Sequence, residues 1–254
     1  MRTVTLTKET TKDILENLLK RSPNQYGSYE TAVREILAKI QEEGDGALFA
    51  YTKKFDRAEI TEQNVRVTDE EIREAYETVD PALVDVIRKS LVNIRNYHEK
   101  QKQNSWFTSS EDGTMLGQKV TPLEKVGVYV PGGKAVYPSS VLMNIVPAKV
   151  AGVDRIIMTT PPGPDGKVNP STLVAANEAG ADEIYKAGGA QAIGALAYGT
   201  QSIPKVDKIV GPGNIFVALA KKAVYGYVSI DSIAGPSEIL VLADDSANPR
   251  FVAA

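Results

Sequence analysis

The sequence predicts an α/β protein built on a Rossmann-like parallel sheet flanked by helices. Short β-branched runs recur along its second half, each ends in a glycine or proline turn, and a helical stretch or the next strand follows at roughly 30-residue spacing. The runs with their turns are 124–133, 155–164, 183–189, 208–213 and 228–236. Right-handed crossovers place such turns along one edge of one sheet, where open α/β sheets bind ligands.

The first part of the chain predicts helices. Apolar residues recur at helical spacing over residues 7–20, a second helix starts at Ser28 and stops at Gly44, and a short third helix surrounds Leu48. None of these segments shows the alternation of a strand. Residues 1 to about 120 are therefore expected to be mostly helical.

Two helix starts follow with recognisable caps. Thr68 and Glu71 have the spacing of a capping box, in which each side chain bonds the backbone of the other residue. Asp80 and Pro81 form a cap followed by proline at the first helical position. The apolar stripe of this helix extends to about Gln103.

A hairpin and a change of composition end the helical part. Asp112-Gly113 is a strong hairpin signal between two apolar pairs. The glycine turns begin after Pro122, so a boundary near this residue separates a helical part at 1–122 from an α/β part that begins at 123.

Composition excludes several classes of function. The chain has 254 residues, is 43% hydrophobic and carries a net charge of −3, which provides no basic surface for nucleic acid. No apolar run reaches the roughly 20 residues of a membrane span, and the first residues do not resemble a signal peptide. We expect a cytoplasmic protein with no membrane or nucleic-acid partner.

Catalytic and metal-binding side chains are scarce. There is no cysteine, and His98 is the single histidine, which predicts no cysteine-based site and no histidine metal cage. His98 lies among charged residues of a helix and is expected to face solvent. We assign no catalytic residue and no metal ligand within the chain.

Four residues at the glycine turns are candidates for binding, and each also has a structural explanation. No dinucleotide glycine fingerprint and no phosphate loop occurs. Asn214 follows a strand at Gly211-Pro212-Gly213 and could hold an anion or simply cap a helix. Gln191 could face a crevice or water, Tyr129 could stack on a ligand or fill the core, and Ser237 could be a turn residue.

Four longer motifs, in this order, resemble histidinol dehydrogenase. They are VGVYVPGG at 126–133, GGAQA at 188–192, VGPGNIFV at 210–217 and DSIAGPSE at 231–238. The resemblance implies two incomplete Rossmann-like domains of the aldehyde-dehydrogenase-like type, one inserted into the other, in an intertwined homodimer. It divides this chain into the helical part of the first domain at 1–122, an inserted NAD-binding domain at 123–236, and a return to the first domain at 237–254.

The resemblance also implies an activity and roles for the four candidates. The family oxidises L-histidinol through L-histidinal to L-histidine in histidine biosynthesis, with NAD and a zinc ion. By motif, Tyr129, Gln191 and Asn214 correspond to NAD contacts and Ser237 to a substrate contact. The zinc ligands and the Glu-His pair that handles protons correspond to positions beyond Ala254.

The chain is therefore expected to be an amino-terminal portion of such an enzyme, inactive and unstable alone. Asn248-Pro249 predicts a helix start with few residues after it, and 239–243 predicts a strand of a second sheet with open edges. Two alternatives stay open: a non-catalytic nucleotide-binding or interaction module derived from the enzyme, and a dehydrogenase for another amino alcohol.

Overall fold

A computed structural model describes residues 4–19, 27–132, 136–233 and 241–253. The helices before the sheet match the sequence prediction. They are α1 (Lys8–Leu19), α2 (Gly27–Glu43), α3 (Asp45–Asp56), α4 (Asp69–Thr78) and α5 (Pro81–His98), the last followed by a 3₁₀ turn (Glu99–Gln101). The fifth helix is thus shorter than its apolar stripe suggested.

Both predicted caps are confirmed. The Thr68 amide donates to Glu71 Oε2 at 3.0 Å, and the Glu71 amide donates to Thr68 Oγ1 at 3.3 Å. Asp80 Oδ1 accepts from the Ala82 amide at 2.8 Å, with Pro81 at the first helical position. These bonds satisfy amides that have no partner within the helix itself.

The predicted hairpin is also present, and it stands clear of the core. Strands β1 (Trp106–Ser109) and β2 (Met115–Gln118) pair antiparallel around a turn in which Gly113 has φ +85°. The large apolar side chains of both strands are exposed.

The second half of the chain forms a five-stranded parallel sheet. The strands are β3 (Lys125–Tyr129), β4 (Arg155–Thr160), β5 (Glu183–Lys186), β6 (Lys208–Val210) and β7 (Ser229–Ile230), in the spatial order β5-β4-β3-β6-β7. The crossover helices are α6 (Pro138–Ala151), α7 (Pro170–Ala179), α8 (Gly189–Tyr198) and α9 (Ile215–Val224), and α10 (Pro249–Ala253) follows. If the five strands are numbered 1 to 5 in chain order, their spatial order is 3-2-1-4-5, as in a Rossmann sheet. Successive strands are added on one side of β3 as far as β5 and on its other side from β6 onward, so the strand order reverses between β3 and β6.

Side-chain alternation along β3 shows how the two faces are filled. Val126 and Val128 belong to a buried cluster with α4, α5, α6 and α7, whereas Tyr129 belongs to one with α2, α3, α8 and α9. Helices from the amino-terminal part thus pack over both faces, with α2 against α8 and α9, and α4 against α7. The proposed domain limits at 122 and 236 stay a prediction.

Two details differ from the sequence prediction. Of the predicted strand at 239–243, residues 239 and 240 lie outside the described ranges, and residues 241–244 have no regular secondary structure. The adjacent charges of Lys221 and Lys222 predict a solvated face of α9, but Lys221 is buried, because its ammonium has partners inside the fold. The helix start at Asn248 is confirmed, with Asn248 Oδ1 accepting from the Arg250 amide at 3.0 Å.

None of the described helices is long and apolar enough to cross a lipid bilayer.

Candidate nucleotide-binding edge

The carboxyl ends of the parallel strands bring three of the four candidates to one edge of the sheet. Tyr129 ends β3, Gln191 lies in the first turn of α8 after β5, and Asn214 follows β6. The fourth candidate, Ser237, lies outside the described residues. The placement at one edge follows from the parallel topology; the roles of these residues as NAD or substrate contacts stay predictions.

The reversal point of the sheet is closed by a backbone contact. Gly211, just after β6, has φ +118°, and a Cβ atom at this position would lie 2.1 Å from the carbonyl oxygen of Tyr129. Only glycine accepts both that φ and that distance. The backbones of β3 and β6 are therefore in close contact at the carboxyl ends of the two strands.

The turns after β3, β4 and β5 meet in a similar way around one proline. A Cβ at Gly132 would lie 2.6 Å from Pro161 Cγ, and a Cβ at Gly188 would lie 2.5 Å from Pro161 Cβ. The glycines that the sequence marks as turns thus also make room for close packing between turns.

Tyr129 is a core residue whose hydroxyl reaches the start of a helix. Its side chain is 3% exposed, and its hydroxyl accepts from the Gly189 amide at 3.2 Å. Burial, the largest cause, raises the pKa of Tyr129 to about 12, so the phenol is neutral near pH 7. The ring fills the core, and the hydroxyl supports the turn that leads into α8.

Gln191 is buried without a partner. It is 1% exposed, and neither Oε1 nor Nε2 has a hydrogen bond within the described part of the chain. Its Oε1 lies against the turn, 2.7 Å from where a Cβ of Gly189 would be. The sequence left open whether this side chain faces a crevice or water, and the structure excludes water.

Asn214 has the structural role that its spacing suggested. Its Oδ1 accepts from the amides of Phe216 at 3.0 Å and Val217 at 3.2 Å, which caps α9. The residue itself is exposed at the edge. Capping uses the side-chain oxygen and leaves the amide group available, so the two interpretations of Asn214 are compatible.

A buried lysine holds the turn after β6 in place. Lys221 is 2% exposed, donates to the Gly211 carbonyl at 2.9 Å and forms an ion pair with Asp231. Asp231 Oδ2 in turn accepts from the Gly211 amide at 2.9 Å. Sequence patterning missed this network because Lys221 lies beside Lys222, and the pair resembles a solvated face.

A cavity of about 600 Å³ lies beside the ends of β3 and β4 and is lined in part by Pro131, Gly132, Thr160 and Pro161. One further wall is Asp56, the last residue of α3. Burial raises the pKa of Asp56 to about 6. Its Oδ2 has no hydrogen-bond partner among the residues that the structure describes. Sequence analysis did not single out Asp56, although an acid at a helix carboxyl terminus opposes the helix dipole and was a usable signal.

Two buried hydroxyls lie on the same face of the sheet as Tyr129. Thr52 precedes Asp56 by one helical turn, and Thr159 is opposite Tyr129 in the register of β3 and β4. Both are fully buried, and neither hydroxyl has a partner in the described ranges. Together with Gln191 and Asp56 they form a group of unpaired polar atoms, which native proteins seldom bury without a reason.

Comparison with known proteins identifies the family. The family model for histidinol dehydrogenase matches residues 19–254. The chain belongs to the histidinol dehydrogenase family.

Individual members of the family agree with this assignment. The chain is 60% identical to histidinol dehydrogenase from Bacillus subtilis over 222 residues, which is 87% of this chain and 52% of that protein. It is 57% identical to the Halalkalibacterium halodurans protein over 225 residues, covering 89% and 53%. The crystal structure of histidinol dehydrogenase from Elizabethkingia anophelis superposes with a TM-score of 0.81 at 44% identity, covering 88% of this chain and 51% of that one.

The chain thus spans about half the length of the relatives it matches. Within the described ranges, no group of three or more His, Cys, Asp or Glu side chains is placed to hold a metal ion.

Proposed function

We propose that the chain supplies the NAD-binding half of a histidinol dehydrogenase. The whole enzyme would oxidise L-histidinol through L-histidinal to L-histidine in the cytoplasm, as an intertwined homodimer. Family membership supports the reaction class. The nucleotide site is supported by the sheet, whose order reverses beside Tyr129 and Gly211, the place where open α/β sheets bind dinucleotides.

The single observation that carries this proposal is the buried, unpaired Gln191. Leaving both polar atoms of one amide without partners costs about 1–3 kcal/mol, and a core position could be filled by an apolar residue at no such cost. The side chain lies at the amino end of α8, where the helix dipole favours a phosphate or a carboxylate. A ligand that bonds Gln191 would remove the penalty, so we assign Gln191 to NAD.

Tyr129 and Asn214 are assigned to the same ligand. The Tyr129 hydroxyl accepts from the Gly189 amide and keeps its own proton available for a ligand acceptor. Asn214 presents its amide group at the start of α9. The glycine fingerprint is absent, so we expect a weaker grip on the pyrophosphate than in an ordinary Rossmann domain.

Zinc, the proton-handling pair and most of the histidinol pocket are assigned to the half of the enzyme that this chain does not span. Ser237 is the one substrate contact proposed here. NAD accepts the hydride in the complete enzyme, and a base must take the hydroxyl proton. With His98 as the single imidazole, we assign no such base here and expect no NADH formation from histidinol by the 254-residue chain.

Calorimetric titration with NAD tests the nucleotide site directly. Gln191→Met keeps length and volume but removes the polar atoms, and we expect NAD affinity to fall about tenfold. Gln41→Met, an exposed residue on α2, is the matched control and should leave binding unchanged. An affinity for NAD equal in the two variants would contradict the proposal.

Asn214 needs a pair of variants, because it also caps a helix. Asn214→Ser retains a capping oxygen and loses the amide, whereas Asn214→Ala loses both. We expect both to weaken NAD binding by about 0.5–1.5 kcal/mol and only Asn214→Ala to lower the melting temperature. If Asn214→Ser binds NAD normally, Asn214 is a cap alone.

The module alternative and the other-substrate alternative predict different assays. A non-catalytic module would bind its nucleotide with no dehydrogenase activity in any longer form of the protein. A dehydrogenase for another amino alcohol would turn over that compound faster than histidinol once the chain is joined to its second half. Steady-state rates with histidinol and with other amino alcohols decide among the three.

A further inference from the structure

We propose that Asp56 accepts hydrogen bonds from a ribose of the bound dinucleotide and thereby selects NAD over NADP. This inference rests on the nucleotide site proposed above. It adds a residue from α3, outside the four motifs, and gives it a role in cofactor specificity.

The position of Asp56 is unfavourable for folding in three ways. Its Oδ2 is buried without a hydrogen-bond partner among the described residues. The residue ends α3, where the negative end of the helix dipole repels a carboxylate. It also forms no ion pair in the described part of the chain, and the neighbouring Lys53 is paired with Glu59. A carboxylate with no structural partner in a cavity wall is suited to a ligand.

The location matches the ribose position of dinucleotide-binding sheets. In those sheets an acid near the end of the second strand bonds the ribose 2′-hydroxyl. Here the second strand of the sheet is β4, and it ends in Thr160-Pro161 with no acid at that point. Asp56 lines the same cavity as these two residues, so α3 brings a carboxylate to the place where β4 lacks one.

The chemistry of the cavity favours a neutral hydroxyl over a phosphate. An ionised carboxylate accepts hydrogen bonds and donates none, so it suits a diol. Among the described residues that line the cavity are a second carboxylate, Asp165, and one cation, Lys167, whose ammonium donates to Glu74 Oε2 at 3.1 Å. NADP carries a 2′-phosphate that NAD lacks. This phosphate would lie beside Asp56, an unpaired group of like charge.

Calorimetric titration of the full chain at pH 8 with NAD and with NADP tests the inference. We expect the wild-type chain to prefer NAD. In Asp56→Asn, NAD should bind about tenfold more weakly while NADP binding weakens less or improves, so the preference falls. Glu59→Gln is the control: it removes the same charge from an exposed residue three positions away that does not line this cavity.

The outcomes separate the two proposals. Failure of the wild-type chain, folded by circular dichroism, to bind NAD would overturn the nucleotide site and this inference with it. Normal NAD binding with an unchanged NAD-to-NADP ratio in Asp56→Asn would overturn this inference alone. Poor folding is not expected to obscure the result, because the substitution removes an unpaired charge; Asp56→Ala provides a second variant with the same expected change in ratio.

Discussion

The two halves of the candidate edge of the sheet are built differently. Beside β6 and β7, polar groups are paired inside the protein: Lys221 bonds the Gly211 carbonyl, and Asp231 bonds the Gly211 amide. Beside β3, β4 and β5, buried atoms of Asp56, Thr159 and Gln191 have no partners among the described residues. One sheet thus has a closed half and an open half at the same edge.

The contrast distinguishes polar residues that stabilise the fold from those that are candidates for binding a ligand. A buried polar group that is fully bonded stabilises the fold and is expensive to remove, whereas an unpaired group destabilises the fold until something binds it. Mutations in the closed half should therefore lower the free energy of unfolding. Mutations of the unpaired groups in the open half should raise it and weaken the binding of NAD. Four variants test this difference, from the largest expected effect to the smallest.

Gly211→Ala should be the most damaging change. The new Cβ would meet the Tyr129 carbonyl at 2.1 Å in a backbone with φ +118°, so we expect a loss of about 3 kcal/mol or more in the free energy of unfolding. Gly226→Ala is the control, because its φ is +107° but no atom lies within 4 Å. Urea denaturation measures both. Equal losses would mean that backbone strain, and not the contact with β3, is responsible.

Lys221→Met tests the buried network of the closed half. The substitution leaves the Asp231 carboxylate without its cation and the Gly211 carbonyl without this hydrogen-bond donor. We expect the free energy of unfolding to fall by about 2–3 kcal/mol. Lys222→Met removes the exposed partner of Glu30 and should cost less than about 1 kcal/mol. Similar midpoints for the two variants in urea would show that burial of Lys221 contributes nothing.

Gln191→Met should act in the opposite direction on stability. Replacing an unpaired amide by an apolar chain of similar size is expected to raise the free energy of unfolding by about 1 kcal/mol without ligand. The loss of NAD affinity predicted above would accompany this gain. A decrease in stability would mean that Gln191 is bonded in the folded protein and belongs with the closed half.

Asp56→Asn should have the smallest effect near pH 4, and the effect should grow as the pH rises. The pKa of Asp56 in the folded chain is about 6, above its ordinary value of 3.8 because of burial, so the folded state holds this proton more tightly than the unfolded state. Wild-type stability should therefore fall, relative to Asp56→Asn, as pH rises from 3.8 through 6. The Tyr129 hydroxyl, which interacts electrostatically with Asp56, stays neutral there. Thermal unfolding at pH 4 and pH 7.5 measures the difference in stability between the wild type and Asp56→Asn. An equal difference at both pH values would contradict the prediction.

Much of the fold could be predicted because its signals are local. The capping box at Thr68, the cap at Asp80 and the turn at Gly113 depend on side chains within a few residues of one another. Parallel strands were predictable from repeated strand-turn-helix units, and these units also predicted that Tyr129, Gln191 and Asn214 share an edge. Coverage of both sheet faces by amino-terminal helices was not predicted, since it depends on contacts between distant segments.

The sequence by itself determined the class of fold, the family, and the edge of the sheet that Tyr129, Gln191 and Asn214 share, because each of these follows from spacing and from contiguous motifs. Tertiary structure alone decided which polar residues are paired. Lys221 is buried because Gly211 and Asp231 come to it from other elements, and Asp56 reaches the cavity because α3 packs over the sheet. Whether a polar side chain serves the fold or a ligand depends on the partners that folding brings to it, and those partners are distant in sequence.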